Sequence, residues 1–119
     1  MPGQDQPSQP SLSGHAILIV QRRWHIAEFL VTAFKALGAR TFPFKDASAA
    51  LPLADVPDLS AAVLDGESGA LCAKLAQRNI PFVLFTGRKE VPVECAAATL
   101  ILKPTSANEV VAKVKELVR

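Results

Sequence analysis

Three residues of chemically useful type stand at the ends of apolar runs. Asp65 closes Ser60-Ala61-Ala62-Val63-Leu64, Thr86 closes Phe82-Val83-Leu84-Phe85, and Lys103 closes Leu100-Ile101-Leu102, with Pro104 after it. An Asp, a hydroxyl and a Lys at three successive strand ends form the pattern of a phosphate-accepting aspartate site. Such a site also calls for acidic residues at a fourth strand end, where they hold a metal ion. The run Ala16-Ile17-Leu18-Ile19-Val20 ends instead in Gln21-Arg22, an amide and a guanidinium. The acceptor carboxylate is retained and the metal ligands are missing.

The elements that must position these residues alternate between short apolar runs and helical patterns. Strand one is Ala16–Val20. Ile26, Phe29, Leu30, Ala33, Phe34 and Leu37 recur at helical spacing, and Gly38 is the stop. Strand two covers about 40–44 and carries Pro43, which suits an edge strand. A short Ala-rich helix over 46–51 is cut off by Pro52. Strand three is 59–64, a helix covers 70–78, strand four is 82–85, a weak helix covers 93–97 and strand five is 100–102. In the last helix Val110, Val111, Val114, Leu117 and Val118 share a face, and Ser106 with Glu109 forms a capping box. Strands three to five are continuous apolar runs, as expected of strands covered on both faces. Repeated β-α units with right-handed crossovers make a doubly wound parallel sheet. Ligands of such sheets sit beyond the carboxyl ends of the strands, which is where Gln21, Arg22, Asp65, Thr86 and Lys103 fall.

Bulk composition narrows the function classes. The chain has 119 residues, one domain's worth, and half of them are hydrophobic. Thirteen basic against eleven acidic residues leave a net charge of +2, which argues against a nucleic-acid binder relying on bulk charge. No apolar stretch reaches membrane-spanning length, and the N-terminus lacks the basic start and apolar core of a secretory signal, so a soluble cytoplasmic protein is expected. Residues 1–13 are rich in Pro, Gln and Ser and read as a flexible tail before an ordered domain over 14–119. Cys72 and Cys95 lie in apolar surroundings and read as small buried hydrophobes in a reducing compartment rather than as a disulfide or metal site. No Ser-His-Asp set, Gly-rich phosphate loop or Cys/His cluster is present, and an enzyme acting on an external substrate is not expected.

With Asp65, Thr86-Gly87 and Lys103-Pro104 in this order on five β-α units, the chain resembles the receiver domains of bacterial response regulators over about residues 15–119. The resemblance implies a flavodoxin-like α/β fold with strand order 2-1-3-4-5. It implies Asp65 as phosphoacceptor, Thr86 as the hydroxyl that contacts the phosphoryl group, Lys103 as its counter-charge and a cis Lys103–Pro104 bond. The implied partner is a histidine kinase or another signalling protein, with self-association as the other route of output; neither nucleic acid nor membrane is implied. Several positions depart from the family pattern. Its acidic pair falls on Gln21 and Arg22, and its switch aromatic on Leu100. The connection from Asp65 to Thr86 is short by roughly half a helix, and the stretch from Gly87 to Leu100 is also short, so the third and fourth helices of the family are reduced.

Transfer of a phosphoryl group onto a carboxylate brings two anions together, and a bound metal normally offsets the repulsion. Here Asp65 is the carboxylate at the site, Glu67 is the nearest addition on a Gly-flanked loop, and Arg22 repels a cation, so no tight Mg²⁺ site and no other cofactor is expected. Arg22 and Lys103 can stand in for the metal, or the three residues can form a structural ion-pair network. Arg22, Arg23, Arg88, Lys89 and Lys103 against Asp65, Glu67 and Glu90 make a cationic mouth, readable as an anion site or as solvated loop charge. Trp24, the single Trp, covers the pocket, anchors a partner or packs over a helix end. Three readings follow: a degenerate receiver in phosphorelay signalling that works through protein contacts, a metal-independent phosphoacceptor serving as shuttle or sink, and an anion-binding module.

Overall fold

The computed structural model describes residues 11–66, 68–87, 90–103 and 106–118. Five parallel strands, β1 (Ala16–Val20), β2 (Arg40–Phe44), β3 (Leu59–Leu64), β4 (Phe82–Thr86) and β5 (Thr99–Leu102), form one sheet in the order β2-β1-β3-β4-β5. The helices are α1 (Trp24–Ala36), α2 (Ala47–Ala50), α3 (Gly69–Gln77) and α4 (Ala107–Leu117), with 3-10 segments at Leu51–Asp55 and Val93–Cys95. This is the doubly wound topology that the strand-end pattern implies.

Side-chain alternation along the strands divides the core in two. Ile17, Ile19, Ala61, Val63, Val83 and Phe85 face α1 and α4, where they meet Leu30, Phe34, Val110 and Val114. Leu18, Val20, Ala62, Leu64, Phe82 and Leu84 face the opposite layer, built from α2, the first 3-10 segment and α3. Every residue of β1 and β4 is buried, which is why those strands read as unbroken apolar runs. In β2 only one side is paired, Pro43 lies opposite Ile19, and the strand is half-exposed. Gly38 ends the turn after α1 with φ +92°, a conformation glycine adopts without steric cost.

Four local features differ from the sequence reading. Cys72 and Cys95, expected as separate buried hydrophobes, form a disulfide. Both project into the same core layer, from α3 and from the second 3-10 segment, and their Cα atoms stand 5.0 Å apart, within bonding range. Pro52 does not end the helical path: it sits in the first turn of the 3-10 segment Leu51–Asp55, where its missing N–H is of no consequence. Leu12, placed in the tail on composition, is buried against the α1–α4 layer, and its N–H donates to Leu37 O at 2.8 Å. Ser106 caps α4 by accepting from Asn108 N–H at 3.1 Å rather than through a reciprocal bond with Glu109. Residues 1–10, Glu67, Arg88, Lys89 and the Lys103–Pro104 bond lie outside the described residues.

Among the described residues between β4 and β5, the helical structure is the second 3-10 segment, three residues long. Leu100 is left 42% exposed on β5.

Candidate phosphoacceptor cleft

At the carboxyl edge of the sheet a cleft of about 410 Å³ is lined by Arg22, Arg23, Asp65, Gly66, Thr86, Gly87 and Lys103. Each residue arrives there by a simple path. Arg22 and Arg23 follow β1, with Arg23 in extended backbone at the N-terminal boundary of α1. Asp65 and Gly66 follow β3. Thr86 is the last residue of β4 and is 5% exposed. Lys103 follows β5, and its N–H donates to Thr86 O at 2.8 Å, which ties the two strand ends together.

The turn after Asp65 is fixed locally. Ser68, itself buried, donates its hydroxyl to Asp65 O at 3.0 Å and to Asp65 Oδ1 at 3.3 Å. Ser68 O then accepts from Cys72 N–H at 2.8 Å, joining the turn to the first turn of α3. Gly66 lies under Thr86, and a Cβ at Gly66 would fall 2.7 Å from Thr86 Oγ1. The threonine hydroxyl therefore occupies the space directly beside the residue that follows Asp65.

Three cations and one carboxylate face this cleft among the described residues. Lys103 Nζ lies 5.2 Å from the centre of the Phe85 ring. Burial holds the Lys103 ammonium below its usual pKa, Asp65 opposes that shift by attraction and Arg23 adds to it by repulsion. Arg22 also acts on the carboxylate of Asp46, which sits below the usual Asp range chiefly because it accepts from Ala49 N–H and from Ser48 Oγ. Beside the cleft, Lys45 Nζ lies 5.9 Å from the Trp24 ring, and Trp24 is 45% exposed.

Asp65, Thr86, Lys103 and Arg22 thus meet in one cleft. Gln21 does not line it: its side chain is fully buried, and neither amide atom has a hydrogen-bond partner among the described residues. Of the other site candidates, Glu67 and Arg88 fall outside the described residues. Ser68 and Gly66 were not singled out from the sequence. The one signal for Ser68 was its place three residues after Asp65, the spacing of a side-chain-closed turn.

Among the described residues, the donor set of the cleft does not suit Mg²⁺. That ion is bound through carboxylate oxygens, carbonyl oxygen and water in an octahedron. Where its acidic ligands would stand, this chain has the amide of Gln21, turned into the core, and the guanidinium of Arg22. Among the described residues, no group of three or more His, Cys, Asp or Glu side chains is placed to hold a metal.

No family model and no curated protein matches the sequence. Solved structures do match. The non-phosphorylated HemR receiver domain of Leptospira biflexa superposes with TM-score 0.73 at 23% identity, over 87% of this chain and 96% of that one. A Francisella response-regulator receiver domain gives TM-score 0.73 at 21% identity, over 87% and 95%. An orphan response regulator of H. pylori gives TM-score 0.76 at 13% identity, over 90% and 99%. The fold is that of response-regulator receiver domains, as the strand-end motifs implied.

Proposed function

We propose that this chain is an atypical receiver domain of two-component signalling that acts by protein–protein contact, without metal-dependent phosphoryl transfer at Asp65. The observation that carries the reading is the lining of the cleft: Arg22, Arg23 and Lys103 surround Asp65 where carboxylates and a divalent cation would be required. A phosphodonor approaching Asp65 meets fixed positive charge and no bridging metal. Guanidinium and ammonium groups attract the donor, but they also attract the carboxylate, which weakens it as a nucleophile. The partner is a histidine kinase or another signalling protein, with a second copy of the chain as the alternative, and the location is the cytoplasm. The domain works as a binding module rather than as an enzyme on an external substrate.

A second reading rests on Thr86 and Lys103, which share the cleft with Asp65. Asp65 is then an acceptor that uses Arg22 in place of a metal, as a phosphate shuttle or sink. The anion-binding module is the same arrangement without the covalent step.

Intact-protein mass after incubation with a small phosphodonor separates these readings, with and without Mg²⁺ and with Asp65→Ala in parallel. The proposal expects no phosphoryl adduct in either condition. A metal-independent adduct that disappears in Asp65→Ala supports the second reading, and an adduct that requires Mg²⁺ contradicts both.

A further inference from the structure

Within residues 91–98, ahead of β5, Cys95 is the one residue that is buried. In the 3-10 segment Val93–Cys95, Val93 is 83% exposed, Glu94 is exposed, and only Cys95 enters the core. The hydrogen bonds of this stretch are local: Cys95 N–H to Pro92 O at 2.9 Å, Ala96 N–H to Val93 O at 3.1 Å and Ala98 N–H to Cys95 O at 3.0 Å. What joins it covalently to the rest of the layer is the Cys72–Cys95 bond, closed across a sequence separation of 23 residues. Val91 and Ala98, on either side of it, pack against the same apolar layer as Leu71, Leu75 and Leu84.

The bond also lies close to the cleft. A Cβ at Gly69 would meet Glu94 Oε1 at 3.3 Å and Pro92 Cβ at 3.5 Å, so the connection rests on the first turn of α3. Gly69 follows Ser68, which holds the Asp65 turn through its hydroxyl and accepts from Cys72 N–H through its carbonyl. From the sulfur of Cys95 to the Asp65 carboxylate the path is one disulfide, one helical turn and one hydroxyl.

We propose that Cys72 and Cys95 form a redox switch: the disulfide clamps the β4–β5 connection onto α3, and its reduction releases that connection and uncovers the apolar layer beneath it. The reductant is a dithiol. Its thiolate attacks one sulfur of the pair to give a mixed disulfide, and its second thiolate displaces the remaining protein thiolate. Two electrons pass to the pair, the two thiol protons of the reductant end on Cys72 and Cys95, and the reductant leaves as its own disulfide. Oxidation by that disulfide is the reverse. Both sulfurs are buried, so exchange begins when the short 3-10 segment opens, which its few buried contacts favour. The proposal is independent of whether Asp65 accepts a phosphoryl group.

The test is hydrogen exchange on the full chain, oxidised and then reduced with dithiothreitol, with alkylation and mass spectrometry to count thiols in each state. The switch predicts no alkylation of the native oxidised chain and two adducts after reduction. On reduction, protection of the Cys95, Ala96 and Ala98 amides falls roughly tenfold or more, while β1 and β3 stay protected on the same timescale. Cys72→Ala/Cys95→Ala should match the reduced chain without any reductant. Two adducts before reduction, unchanged protection over 93–98, or protection lost from β1 and β3 together with that segment would each overturn it.

Discussion

Substituting Gly66 by Ala tests the placement of Thr86 against the Asp65 turn. Gly66 does not have the positive φ that only glycine accepts readily, so the backbone itself admits alanine. The new Cβ would stand 2.7 Å from Thr86 Oγ1 and 3.4 Å from Thr86 Cβ. Carbon and oxygen at ordinary contact need nearly an ångström more than the shorter distance. Thr86 cannot retreat easily: it is 5% exposed, it ends β4, and its carbonyl accepts from Lys103 N–H. Overpacking of this kind costs about 1–3 kcal/mol, against which the lower chain entropy of alanine returns about 0.4–1 kcal/mol. A net loss of about 1–2 kcal/mol corresponds to a Tm lower by roughly 4–10 °C for a domain of this size. Removing the hydroxyl with Thr86→Ala should relieve most of the clash, so a double-mutant cycle followed by thermal unfolding should show a favourable coupling of about 1 kcal/mol or more. If Gly66→Ala is as stable as the parent, or loses as much stability beside Thr86→Ala as alone, the hydroxyl does not lie over this turn.

Gln21→Met keeps the volume and removes a buried amide with no partner, so urea unfolding should show a gain of about 1–3 kcal/mol; a loss of stability would mean that the amide is satisfied. Lys103 has a folded-state pKa below its usual 10.5, so in the window between the two the unfolded chain binds more protons. Stability of the parent relative to Lys103→Met should therefore rise as pH climbs through that window, and a flat or falling difference in pH-dependent unfolding would contradict the burial of the ammonium. Opening the disulfide, with its separation of 23 residues, frees a loop whose closure entropy is worth about 3 kcal/mol, so Cys72→Ala/Cys95→Ala should lower the denaturant midpoint accordingly. A midpoint unchanged from the oxidised parent would show that the bond does not constrain the unfolded chain.

The sheet was legible because its chemistry is one-dimensional. β1, β4 and all of β3 but Ser60 are buried and appear as largely apolar runs, and parallel topology then brings Asp65, Thr86 and Lys103 to one edge. Features that depend on packing between distant segments were not legible. Nothing within the 23-residue spacing of Cys72 and Cys95 shows that α3 and the β4–β5 connection bring them together. Leu12 stands alone among Pro, Gln and Ser, so no pattern announces its place in the α1–α4 core layer or its hydrogen bond to Leu37. Gln21 looked like a site residue because it directly follows β1, yet it continues the Ile17–Ile19 alternation into the core, and Arg22 is the residue that reaches the cleft. Gly66 and Ser68 matter through contacts at the ångström scale, with Thr86 Oγ1 and with Asp65 Oδ1, which residue type alone does not specify.

Whether the Asp65 cleft holds a divalent cation can be read from a Mg²⁺ titration followed by Trp24 fluorescence. Trp24 is the single Trp and lies next to Arg23 at the mouth. Calorimetry on the same samples reports binding independently of the fluorophore. The expected result is no saturable response in the parent chain at millimolar Mg²⁺, and a saturable one in Arg22→Asp, whose new carboxylate faces Asp65 across the cleft, that is lost again with Asp65→Asn. Saturable Mg²⁺ binding by the parent chain, abolished by Asp65→Asn, would contradict it.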